Sequence, residues 1–217
     1  QKNTNENLGL PPVEVKGKRV VVLGGGDSAM DCLRTAVRCG AKDTVCVYRR
    51  DVENMPGSKK EYANALEEGA RFLFLTNPVA LEGNADSEVT AVRCVRMELG
   101  APDASGRRSP KPVPDSESTL HADLVMVAYG FDPVPFPPES DLSEIEINDW
   151  GAIRVDESQR TSIPGVFAGG DIVRGPSLVV HAVRDGRKAA IAIHRDLEAK
   201  LESASSAVEA SIPLTTG

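Results

Sequence analysis

An α/β fold with a parallel sheet is predicted by three observations. From Lys18 to Gly130 the chain alternates strand-like and helix-like segments. The first and last of these strands are short, continuous apolar runs, the pattern of a sheet covered on both faces. The first run, RVVVL at Arg19 to Leu23, leads directly into three glycines and then into a helical pattern.

Each element follows in order. Residues 1–17, rich in Asn and Pro, show no periodicity and are expected to be a linker. After the first strand, Ala29, Cys32, Leu33, Ala36 and Val37 recur at helical spacing on one face, and Gly40 is placed to end that helix. DTVCVYRR, from Asp43, is a second strand. Ser58 to Glu61 reads SKKE, a capping box that opens a helix through Leu66, with Gly69 as its stop. ARFLFL, from Ala70, is a third strand. Between Ala80 and Leu99 the alternation in EVTAVRCVRMEL predicts antiparallel strands in a β-meander, and the stretch from Ala101 to Pro114 is expected to be a mobile loop. ADLVMVAYG then brings a further buried strand back into the sheet and closes a first domain over residues 18–130. Residues 131–165 hold five prolines and predict an irregular connection. GVFAGGD is expected to be a strand ending in glycines, and Ser177 to Leu197 an amphipathic helix, both within a second domain over residues 131–200. The small, polar residues 201–217 are expected to be a disordered tail.

Composition removes several function classes. A net charge of −7 argues against a broad nucleic-acid-binding face, which needs clustered Lys and Arg. No apolar run approaches the roughly 18 residues of a membrane-spanning helix, and the first residues are polar rather than signal-like, so a soluble, cytoplasmic protein is expected. Cys32, Cys39, Cys46 and Cys94 form no CxxC, so neither a zinc site nor a redox dithiol is indicated. A dehydrogenase using a Tyr-x-x-x-Lys pair is also disfavoured, because Leu66 follows Tyr62 at that distance and Val52 follows Tyr48.

The glycines carry the chemistry. Gly24, Gly26 and Ala29 fit GxGxxG/A between a strand and a helix, with Gly25, Asp27 and Ser28 completing the turn. The first glycine permits a tight turn, the second lets a pyrophosphate approach the backbone, and the small third residue brings helix close to strand. This is a Rossmann-like dinucleotide site. About 20 residues on, where an NAD site has an acid for the ribose hydroxyl, this chain has Tyr48, Arg49 and Arg50. Guanidinium groups pair with a 2'-phosphate, and an aromatic or Arg side chain can cover adenine, so NADPH is expected over NADH.

Three segments, GGGDSAMDCLRTAVRCGAK, YRRDVENMPGS and FAGGDIVRGPSLVVHAVRDGRKAA, closely resemble the NADPH-dependent glutamate synthase small (beta) subunit family. The resemblance implies a two-dinucleotide-binding-domain flavoprotein in which the NADPH domain is inserted into an FAD-binding domain. It implies hydride transfer from NADPH to FAD and onward passage of electrons through iron-sulfur clusters to a glutamate synthase large subunit or an equivalent acceptor. Similar reductases include portions of dihydropyrimidine dehydrogenase and ferredoxin:NADP reductases. Gly130 is expected among the cofactor-binding residues, and by the same resemblance Gly170 and Asp171 lie at the flavin's pyrophosphate and ribityl chain, and Ser177, Leu178 and Val179 open a helix facing its pyrimidine edge. No catalytic side chain and no metal ligand is implied. The family's amino-terminal FAD and iron-sulfur half has no counterpart before Lys16, so the chain is expected to be a carboxy-terminal portion that is inactive alone.

Overall fold

The computed structural model describes residues 13–102 and 108–210, with side chains to residue 205. The chain divides into two compact units that meet in sequence between Gly130 and Phe131. In the first, β1 (Arg19–Leu23), α1 (Asp27–Arg38), β2 (Asp43–Val47), α2 (Lys59–Glu67), β3 (Arg71–Leu73), β4 (Thr76–Gly83), β5 (Val89–Pro102), β6 (Arg108–His121) and β7 (Leu124–Val127) follow one another. A parallel sheet takes the order β3-β2-β1-β7, and β4-β5-β6 form an antiparallel sheet of their own.

The continuous apolar run of β1 is explained by two cores. Alternate residues of a strand face opposite ways. Val20 and Val22 therefore join Met30, Leu33 and Ala36 of α1 in one cluster, and Val21 and Leu23 join Val47, Val92, Cys94 and Ala122 in a second. The helices cover one face of the parallel sheet and the antiparallel strands the other. At the far end of β1, Asp123 accepts from Arg19 Nε at 3.0 Å and from its backbone N–H at 2.8 Å, fixing the start of β7 beside β1. That pairing holds the Asp123 carboxyl well below the usual carboxylate range.

Helix ends follow the local chemistry. The Ser58 hydroxyl accepts from the Glu61 N–H at 3.1 Å and opens α2 as the capping box requires. At the other end of α2, Glu68 is gripped by Arg38 through 2.6 and 2.9 Å bonds and by Arg34 Nε at 2.9 Å. Those guanidinium groups, Arg38 foremost, lower its pKa from 4.5 to about 2. A depressed carboxylate stabilises the fold above its unfolded pKa and loses that contribution as pH falls toward its folded one. Thermal melts between pH 5 and 2 should therefore show Glu68→Gln with a flatter acid dependence than the parent; parallel curves would contradict the clamp.

Several expectations need correction. Residues 110–114 are strand rather than loop: Pro110 and Pro112 pair with Leu99 and Met97. Spaced two apart on an edge strand, both prolines turn their missing donor to the outer side, where no ladder bond is lost. Residues 103–107 of the expected loop lie outside the described residues. Residues 13–17 are not loose, since Val15 packs on the first core and the Gly17 N–H donates to the Gly40 carbonyl at 2.8 Å. β7 returns to the sheet, but as its edge, with Val127 62% exposed.

The second unit contains α3 (Asp171–Arg174) and α4 (Val179–Ala210), preceded by irregular chain with isolated bridges at Ile147–Ile153 and Arg160–Phe167. GVFAGGD is therefore not a strand, because a ladder needs a partner and only Arg160 offers one. α4 continues through residues 201–210, which were expected to be disordered; no Gly or Pro interrupts the chain between Gly186 and Pro213, and Ala, Leu and Glu sustain helix. The expected linker over residues 1–12 and the tail over 211–217 lie outside the described residues.

Candidate nucleotide-binding site

The glycine turn joins β1 to α1 at the carboxyl edge of the parallel sheet. Gly24 has φ +138°, and a Cβ on it would overlap the Ala128 carbonyl oxygen just beyond β7. Gly25 lies over Tyr48, whose ring would be 2.6 Å from an added Cβ. Gly26 differs from both: a Cβ there would meet nothing within 4 Å. It is also the N-cap of α1, and no side chain caps that helix. The first-turn N–H groups around Gly26, Asp27 and Ser28 thus face open space, with the positive end of the helix dipole behind them. Ala29 is fully buried, as close packing of helix on strand demands.

A second loop supports the turn from the side. Gly57 donates its N–H to the Gly25 carbonyl at 2.9 Å, and a Cβ on Gly57 would press to 2.9 Å from that same oxygen. Asp27 Oδ1 accepts from the Ser58 N–H at 2.7 Å. The MPGS segment is therefore the buttress of the glycine turn, a role sequence reading missed although the motif stood out.

At the end of β2 the three expected residues part company. Tyr48 is 8% exposed, and its hydroxyl donates to the Asn54 carbonyl at 2.8 Å. Its ring is thus the floor of the turn. Arg49 is exposed and makes no ion pair among the described residues. Arg50 is 8% exposed, and its buried Nε has no hydrogen-bond partner. Beyond β7, Gly130 takes φ +83° with open space where a Cβ would stand.

In the second unit, Gly170 (φ +75°) donates its N–H to Asp185 Oδ2 at 3.0 Å. Asp185 is 1% exposed and also binds Arg174 through 2.8 and 2.6 Å bonds, so its carboxyl is held below the ordinary range, by Arg174 first. The Gly170 N–H is therefore committed within the protein. Asp171 remains exposed at the start of α3. The Ser177 hydroxyl lies 2.7 Å from His181 Nδ1, and Leu178 and Val179 are 63% and 77% exposed. Asp185 was not anticipated, and its only sequence signal was a lone acid on a helix.

The profile of the pyridine nucleotide-disulphide oxidoreductases matches residues 3–186, spanning both glycine turns. The chain belongs to that family. Among pyridine nucleotide-disulphide oxidoreductase relatives, the glutamate synthase [NADPH] small chain of Azospirillum brasilense is 52% identical over 188 residues, covering 86% of this chain and 39% of its own length. The NADP(+)-dependent formate dehydrogenase subunit beta of Moorella thermoacetica is 45% identical over 188 residues, covering 84% of this chain and 26% of its own. The chain thus spans about two fifths or less of the curated relatives it matches. FprA of Mycobacterium tuberculosis, solved in complex with NADPH, superimposes with a TM-score of 0.68 at 20% identity, covering 88% of this chain and 55% of that one, and shares the fold. The four cysteines of this family member are free, with Cys46 and Cys94 buried. Burial raises the Cys46 thiol to about 12.

Proposed function

We propose that the first unit binds NADPH across the carboxyl edge of its parallel sheet, with the pyrophosphate on the first turn of α1 and the 2'-phosphate at the end of β2. The observation that carries this reading is the pair of uncompensated cations at Arg49 and Arg50. A buried guanidinium without an acceptor is costly. The orphaned Nε of Arg50 suits an anion, and the exposed Arg49 supplies a second set of donors beside it. The open space before Gly26 is the cradle a pyrophosphate needs.

The second unit carries the proposed contacts to FAD: Gly170 and Asp171 at the ribityl and pyrophosphate end, and Ser177, Leu178 and Val179 at the amino-terminal end of α4. Supporting this are the left-handed turn at Gly170, the exposed Asp171 carboxylate and the exposed Ser177 hydroxyl. Asp185 and Arg174 hold that turn against α4, which presents Asp171 outward. When bound, NADPH would supply a hydride and FAD would accept it. The chain's own residues bind and orient; none is assigned a proton-transfer role. In the whole protein, electrons would pass onward to a glutamate synthase large subunit in the cytoplasm. The similarity to a formate dehydrogenase subunit favours a second reading in which the same NADPH and flavin sites serve a different acceptor.

The test is calorimetric titration of NADPH and NADH. Replacing Arg49 and Arg50 together with Ala should weaken NADPH by about 2–3 kcal/mol or more, the range of charge-assisted bonds, and leave NADH nearly unchanged. The exposed Arg49→Ala alone should move NADPH in the same direction without touching the core. An equal loss for both nucleotides would remove the 2'-phosphate from this position.

A further inference from the structure

The antiparallel strands return to the carboxyl edge of the parallel sheet. β4 starts there and runs away from it: the Leu75 N–H donates to the Arg50 carbonyl at 3.0 Å and the Thr76 N–H to the Tyr48 carbonyl at 3.1 Å. β5 is antiparallel to β4 and so runs toward that edge, pairing Arg96 with Thr76 and donating the Met97 N–H to the Leu75 carbonyl at 2.6 Å. Glu98 to Pro102 therefore lie beyond the end of β2. β6 comes back beside them, with Arg108 paired to Pro102, Pro110 to Leu99 and Lys111 to Glu98. Because β4 pairs with β5 no further than Arg96, this part is a two-stranded ribbon, and it stands past the strand end that carries Arg49 and Arg50.

The ribbon carries a charge back toward that strand end. The exposed Arg108 side chain folds along the ribbon in the direction of the sheet, its Nε donating to the Gly100 carbonyl at 2.9 Å. Its charge is felt at Asp51, the residue after Arg50: Asn54 first, and Arg108 beyond it, hold the Asp51 carboxyl below its usual range. Asp51 does not consume that charge. Its contacts are the Asn54 N–H at 2.9 Å and Asn54 Nδ2 at 2.7 Å, not the guanidinium. A phosphate group has three acceptor oxygens, so one held by Arg49 and Arg50 from β2 still has acceptor capacity for a donor from another sheet. We propose that Arg108, held on the β5–β6 ribbon, is a third cation of the 2'-phosphate site and sharpens the choice of a 2'-phosphorylated nucleotide, an inference that rests on the NADPH reading above.

Calorimetric titration of the 217-residue chain with adenosine 2',5'-bisphosphate and with adenosine 5'-monophosphate tests this, because the two ligands differ only in the 2'-phosphate. Arg108→Ala should weaken the bisphosphate about fivefold to tenfold, the reach of one charge-assisted contact, and leave the monophosphate within about twofold. The side chain is exposed, so the circular dichroism spectrum should stay that of the parent. Lys111→Ala, which removes a charge from the same ribbon, should bind both ligands like the parent. Unchanged bisphosphate affinity in Arg108→Ala, equal losses for both ligands, or the same loss in Lys111→Ala overturns this assignment alone. A parent chain that shows no preference for the bisphosphate overturns the NADPH reading and this one with it.

Discussion

Gly26→Val is expected to abolish NADPH binding while the circular dichroism spectrum stays that of the parent. Gly26 has φ −87° and ψ 176°, extended backbone that any residue adopts, so no strain opposes the side chain. Nothing lies within 4 Å of the new Cβ, so no packing is disturbed. The loss of a good N-cap costs about 1 kcal/mol. The branched side chain instead fills the space in front of the uncapped N–H groups of α1, where a pyrophosphate oxygen would have to come within about 3 Å. Titration of the variant would show no measurable NADPH binding. Retained affinity would place the nucleotide elsewhere.

Gly24→Ala should do the reverse, and its effect is on the fold. The added methyl overlaps the Ala128 carbonyl oxygen, which is backbone and cannot rotate away, and φ of +138° is unfavourable for any side chain. Relief requires β1 and β7 to separate, yet the pairing of Val20 with Leu124 and the Arg19–Asp123 bonds hold them together at the other end. Strain and overpacking of this kind cost about 3 kcal/mol or more, a fall on the order of 10 °C in melting temperature for a unit of this size. Thermal unfolding monitored by circular dichroism reads this directly. A variant that melts with the parent would contradict the close approach of β7 to the turn. Two glycines two residues apart thus serve different ends, one for packing and one for access.

Much of the fold was legible because its causes are local. The run RVVVL, the Ser58 capping box and the spacing of Ala29, Leu33 and Ala36 each act within a few residues, and the Rossmann-like α/β fold follows from them. What was not legible depends on partners distant in sequence. Pro110 and Pro112 suggest a loop until β5 lies beside them as the inner neighbour of an edge strand. GVFAGGD has the composition of a strand, but composition does not provide a partner. The candidate site divides in the same way. The glycine spacing set out the turn, while the fates of its basic and aromatic neighbours were decided by burial. Tyr48 and Arg50 both follow an apolar strand, and only the packing of Gly25 above the ring and of the surrounding loops shows that they face inward while Arg49 faces out.

The central claim, that the first unit holds an NADPH site at its glycine turn, is tested most directly by amide chemical-shift mapping of the isotope-labelled chain during NADPH addition. The account predicts saturating shifts at Gly24 to Ala29, at Arg49 and Arg50, and at Gly130. Amides of Gly170 and Asp171 and of Ser177 to Val179 should stay in place. Shifts confined to those second-unit residues, or none at saturating NADPH, would contradict it.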